Sequence, residues 1–151
     1  MTKQDKAKQI ALERFSQGFN CAEATLLGLV EAYELENACV PKIATGFGAG
    51  MGACGEACGV LSGSVMALGL RFGREDAEDQ DKKKALYEKV KTLFAEFEQE
   101  FGAIRCLELT ECDMRNPEGM QKAKDLKLHS DFCPKFVAWA AEKAAQLLEC
   151  E

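Results

Sequence analysis

Eight cysteines in 151 residues are the first chemistry this chain offers: Cys21, Cys39, Cys54, Cys58, Cys106, Cys112, Cys133 and Cys150. In a secreted miniprotein that number would suggest a disulfide framework, although eight thiols allow about 105 full pairings. This chain is long enough to bury a core without crosslinks. Its first residues, MTKQDKAKQI, lack the apolar stretch of an export signal. The expectation is therefore a cytoplasmic protein, and in reducing surroundings clustered thiols serve metal or redox chemistry. No C-x-x-C occurs, which counts against zinc ribbons, zinc fingers, thioredoxin-like exchange and the bacterial ferredoxin spacing together. Any site of four thiolates has to gather ligands from distant parts of the chain.

Two of the thiols sit at expected helix starts. Cys21 follows Asn20, which with Glu23 reads as a capping box. Cys133 precedes Pro134, a residue suited to a first helical turn. Free N–H groups and the positive end of the helix dipole lower a thiol pKa there, and the thiolate is the form that binds metal or attacks sulfur. Cys54 and Cys58 are four residues apart and would share one helix face. Such a pair could bind one metal, exchange as a disulfide, or simply fill a crowded helix contact as small hydrophobic residues. Cys106 and Cys112 lie in a connector among Glu108, Glu111 and Asp113, while Cys39 and Cys150 stand alone and are assigned no role.

Other motifs yield to simpler readings. Gly50-Met51-Gly52-Ala53-Cys54-Gly55 spells G-x-G-x-x-G, but a dinucleotide site needs a strand and a βαβ unit around it. His129, the sole histidine, lies in a polar stretch and reads as solvated rather than catalytic. Glu56 reads as a favourable charge in a first helical turn. Acidic residues outnumber basic ones 25 to 19, a net charge of −6, so nucleic acid is not an expected partner. The basic run Lys82-Lys83-Lys84 follows five acids and reads as a solvated helix face. The stretch 43–70 is too short in its strongly apolar part for a membrane span, which takes about 20 residues.

The elements that must position these groups read as helices throughout, because apolar residues recur at helical spacing and nothing alternates for long. Helices are expected over 3–17, 20–35, a shorter 41–47, 55–70, 76–101, a short one opened by Pro117, and one from 131 or 133 to the end. In the fourth of these, Gly55, Gly59 and Gly63 fall four apart and would make one smooth face. The expectation is all-α: an irregular, single-domain bundle of five or six helices over residues 1–151, with a Gly-rich central segment.

Three stretches carry a resemblance: Asn20-Cys21-Ala22-Glu23, then Gly46-Phe47-Gly48-Ala49-Gly50-Met51-Gly52, then Gly55-Glu56-Ala57-Cys58-Gly59-Val60-Leu61-Ser62-Gly63. Cys106-Leu107-Glu108-Leu109-Thr110 and Cys133 complete it. The chain resembles the C_GCAxxG_C_C family of redox-active proteins, and is similar to the iron–sulfur domain of split-Soret cytochromes. Val60 stands where the family's name has alanine, and Cys39, Cys54, Cys112 and Cys150 fall outside its pattern. The resemblance implies an iron–sulfur cluster, 2Fe–2S by its four thiolates, held by Cys21, Cys58, Cys106 and Cys133. Gly55, Gly59 and Gly63 would let backbone approach it. The implied function is electron transfer with an unidentified redox partner protein, and the glycine seam and amphipathic helices are compatible with a homodimer. Two alternatives stand beside it: metal-free thiol–disulfide exchange, with Cys54 and Cys58 as the pair, and a zinc-binding structural protein using the same four cysteines.

Overall fold

The computed structural model describes all residues, Met1–Glu151. It is all-α and has no strand. The α-helices are α1 (Lys3–Ser16), α2 (Cys21–Tyr33), α3 (Gly59–Phe72), α4 (Gln80–Phe101), α5 (Cys106–Thr110), α6 (Pro117–Asp125) and α7 (Pro134–Glu149). A 3-10 turn, Lys42–Phe47, precedes α3, and a π turn, Leu128–Phe132, leads into α7. The count exceeds the expected five or six because the connector after α4 holds a further short helix, α5, before the expected one that Pro117 opens as α6. No helix is long and apolar enough to cross a membrane.

The core lies where α1, α2, α3 and α7 meet. Helix α2 packs against the other three, and α1 also packs against α7. Both sides contribute small side chains. Ala140, Ala141, Ala144 and Ala145 of α7 are buried, as are Ala7 and Ala11 of α1, so the helices approach closely around Leu26, Leu29, Leu61 and Leu68. The capping box read from the sequence opens α2. The Glu23 N–H donates to Asn20 Oδ1 at 2.9 Å, and the Asn20 N–H donates to Glu23 Oε1 at 2.9 Å.

Helix α4 flanks this core and buries only Leu93 and Phe97 fully. Its apolar stripe meets α7 in an edge-on aromatic cluster. Phe101 lies 4.8 Å from Phe136, and Phe97 lies 5.5 Å from Trp139 between ring centres. At the far end of α7, Lys89 donates to the carbonyls of Leu147 and Cys150, a cation placed at the negative end of a helix. Helix α4 starts later than expected because Asp79, not Asp76, caps it by accepting from the Lys82 N–H at 3.1 Å.

The clearest departure from the sequence reading concerns α3. It begins at Gly59 rather than Gly55. Gly55 lies outside the helix at φ +75°, and the residues after it pair with another segment instead of starting a helical turn. Gly55, Gly59 and Gly63 therefore do not form one helical face.

Candidate metal centre

Cys21, Cys58, Cys106 and Cys133 line one cavity of about 460 Å³. They come from four separate stretches, and each stands at the N-terminal end of a different helix. Cys21 is the first residue of α2 and Cys106 the first of α5. Cys58 immediately precedes α3, and Cys133 immediately precedes α7. The cavity is thus where several helix starts converge, each with backbone N–H groups that lack helical partners.

A short antiparallel contact brings two of these starts together. Ala57 and Arg105 form an isolated bridge. The Cys58 N–H donates to Ile104 O at 2.8 Å, and the Cys106 N–H donates to Glu56 O at 2.7 Å. Glu56 accordingly lies in this paired segment, not in a first helical turn, and its exposed carboxylate pairs with Arg105 at 3.6 Å.

The crowded glycines before Cys58 have a specific backbone purpose. All of residues 49–53 have positive φ: 52° at Ala49, 70° at Gly50, 72° at Met51, 54° at Gly52 and 67° at Ala53. That is a left-handed turn, a conformation that costs L-residues about 1–2 kcal/mol each. Hydrogen bonds from Gly55 N–H to Ala49 O at 3.3 Å and from Glu56 N–H to Gly50 O at 2.8 Å close it. The turn aims the Ala49 N–H at the Cys21 sulfur, which also receives the N–H groups of Ala22 and Gly59.

The electrostatics separate Cys21 from the rest. The neighbouring Cys58 thiol, through its hydrogen bond, together with the three backbone N–H groups, pulls Cys21 down to about 7 against the opposing effect of burial. Cys58 is pushed well above its ordinary value by that same hydrogen bond, by burial and by the Cys21 charge. Burial, followed by the charge of Cys21, raises Cys106 to about 11. Burial, followed by the charges of Cys21 and Cys106, raises Cys133 to about 12. The helix-start argument therefore has the direction right at Cys21, where the Cys58 thiol is the largest cause, and wrong at Cys133, where burial is the largest cause.

The glycines divide by role. At Gly59 a Cβ would fall on the Cys21 sulfur and 3.0 Å from Phe47 O, so this position is a cradle that only glycine leaves open. At Gly63 a Cβ would lie 2.5 Å from Ala22 O, so its bareness serves the contact of α3 with α2. At Gly55 it would meet Leu107 Cβ at 2.9 Å. None of the three lines the cavity.

Among the other thiols, Cys39, Cys54 and Cys150 are exposed, and Cys112 is buried. Cys54 and Cys58 do not share a helix face, because Cys54 precedes α3 by several residues. Cys58 is partnered by Cys21 instead. Cys112 does not line the cavity, but its charge adds to the shifts at Cys106 and Cys133. His129 is exposed, as expected, but it is also held in place. Its ring stacks on Phe15, 3.8 Å between centres and 18° between planes, and its Nε2 lies 2.7 Å from Phe15 O. A carbonyl only accepts, so Nε2 carries a proton and His129 is a fixed part of the cavity wall. No local pattern in Leu128-His129-Ser130 signals this, since the partner is 114 residues away.

No three Cys, His, Asp or Glu side chains converge closely enough to share one metal ion. The four thiols stand around a cavity rather than around a point. Their chemistry fits a cluster in two respects: all four donors are sulfur, and three of them are thiols whose pKa values burial and neighbouring charge raise, a cost that a bound cation would relieve.

Comparison with known proteins bears on this site. Residues 19–147 match a family model described as "Putative redox-active protein (C_GCAxxG_C_C)". A protein of Archaeoglobus fulgidus, described as "Uncharacterized protein", is 34% identical over 71 residues, 46% of this chain and 47% of that protein. The match thus spans about half the length of that relative. No solved structure matches the chain.

Proposed function

Because the chain belongs to the C_GCAxxG_C_C family, whose description is redox-active, we propose that Cys21, Cys58, Cys106 and Cys133 hold a 2Fe–2S cluster and that the protein transfers electrons. The observation that carries this reading is the convergence of those four thiols, each at a helix start, on one cavity. A cluster of this type, once bound, carries one electron at a time. The protein's own groups would set how readily it does so. The N–H groups of Ala49, Ala22 and Gly59 at the Cys21 sulfur offset negative charge there, and such hydrogen bonds raise a cluster's potential. Burial of Cys58 keeps water from its sulfur.

The test is anaerobic purification followed by a visible spectrum with iron and sulfide analysis. About two irons and two sulfides per chain are expected, with the colour lost in Cys58→Ser. A colourless, iron-free protein that cannot be reconstituted would sink the reading. A second reading rests on the adjacency of Cys21 and Cys58. In metal-free protein these two thiols would exchange with a small-molecule disulfide. Cys21 attacks and releases one small thiol, then Cys58 displaces the other and closes a Cys21–Cys58 disulfide. Thiol counting after mild oxidation distinguishes this case, since eight free thiols would exclude it.

A further inference from the structure

The cavity offers more than thiols, and its lining is unusual in charge. Apart from the thiols and His129, Lys124, in the last turn of α6, and Lys127, in the left-handed residue before the π turn, are its only ionisable side chains. No Asp or Glu lines it, although acids outnumber bases 25 to 19 in the chain. Twelve of the eighteen lining residues are hydrophobic, and the stacked pair of Phe15 and His129 gives one flat wall. Its 460 Å³, which includes the space among the four thiols assigned to the cluster, falls within the range of about 300–1,000 Å³ typical of small-molecule sites.

We propose that this cavity binds a small amphipathic organic anion, with a flat apolar body against Phe15, Leu109, Leu128 and Phe136 and its carboxylate or sulfonate on Lys124 and Lys127. The apolar lining rewards a hydrophobic body by the area it removes from water. Two cations without a facing carboxylate reward one acidic group and penalise an ammonium. The acid must lie at the lysines, because Lys124 and Lys127 are the only basic side chains apart from His129 in an otherwise largely apolar lining. The proposal rests on the redox reading for the purpose of the thiols, and adds the class of molecule that reaches them.

The experiment compares three probes of one shape on the full chain: 1-naphthoate, 1-naphthalenemethanol and 1-naphthylmethylammonium, titrated by calorimetry at pH 7. Naphthoate should bind about tenfold or more tighter than the ammonium, the scale of one charge-assisted hydrogen bond. The variant carrying Lys124→Gln and Lys127→Gln, both at exposed positions, should lose most of that difference and bind the alcohol as before. Leu109→Trp, checked by circular dichroism, should weaken all three. Equal binding of anion and cation overturns the proposal, as does a charge preference that survives the lysine changes, or no binding of any probe at millimolar concentration. Iron is measured on the same samples. A charge preference in protein that cannot hold iron would sink the cluster and leave this inference standing; a loaded cluster without the preference would do the reverse.

Discussion

At the residue scale, the four cavity thiols should give the reduced, metal-free protein a particular response to pH. Cys106 and Cys133 ionise near 9.0 when unfolded but only near 11 and 12 when folded. Below pH 9 both are protonated in either state, so their contribution is fully present. As pH rises past 9 the unfolded chain loses these protons first, and stability falls. Cys58 acts in the same sense. Cys21 acts in the opposite sense: its folded value near 7 adds stability above pH 9 that is lost as pH falls through 7. Unfolding free energies from denaturant titration should therefore drop between pH 9 and 10.5, by on the order of 1–2 kcal/mol for each of Cys106 and Cys133. The change from Cys to Ala at both 106 and 133 should flatten that slope, and an unchanged slope would show that other groups cause it. The sequence made Cys21 legible, because its capping box and first-turn place are local. It could not show the state of Cys133, which depends on burial and on sulfurs brought in from elsewhere in the chain. His129 escaped for the same reason, since both of its contacts are with Phe15.

At the scale of elements, glycine does two different things in the central segment, and substitutions should separate them. In the left-handed turn of residues 49–53, Ala53 holds φ +67° with a Cβ it would be better without. Ala53→Gly should raise stability by up to about 1 kcal/mol, as relief of the left-handed penalty exceeds the added freedom of the unfolded chain. Gly63→Ala should do the opposite. Its Cβ would sit 2.5 Å from the Ala22 carbonyl, and backbone cannot step aside as a side chain can. A loss of about 1–3 kcal/mol is expected from the forced separation of α3 and α2. Thermal melting of the two variants checks both signs, and the same sign for both would refute the division. The helices were largely readable, because α1, α2 and α4 carry their caps in local sequence and α7 carries Pro134 at its start and an apolar stripe. The start of α3 was not. A spacing of four between glycines looks helical on paper, but Glu56 and Ala57 are taken up by pairing with the segment around Arg105, nearly fifty residues later. The short α5 was hidden in a connector that only that pairing organises.

At the scale of the whole molecule, the proposed cluster would tie two unequal parts together. Cys21 and Cys58 belong to the α1–α2–α3–α7 core, where packing is dense and most buried side chains lie. Cys106 and Cys133 bracket a segment of different character. From α5 through the π turn, few residues are buried, chiefly Thr110, Cys112, Gly119 and Leu128. Helix α6 packs mainly on the adjacent π turn, and it exposes Met120 and, just after its end, Leu126. Regions with so few buried apolar contacts open locally at low free energy. A ligand bound through Cys106 and Cys133 as well as through the core would suppress that opening, since what binds only the closed form stabilises it. Amide hydrogen exchange should therefore show residues 106–133 well protected in cluster-loaded protein. After chelation of the iron under reducing conditions these residues should exchange about tenfold or more faster, equivalent to about 1.4 kcal/mol, while α2 and α7 change little. Cys133→Ser should give the fast pattern even in the presence of iron. Uniform deprotection of the whole chain would show instead that the metal supports the core itself, and unchanged exchange would show that nothing bound at these thiols bridges the two parts.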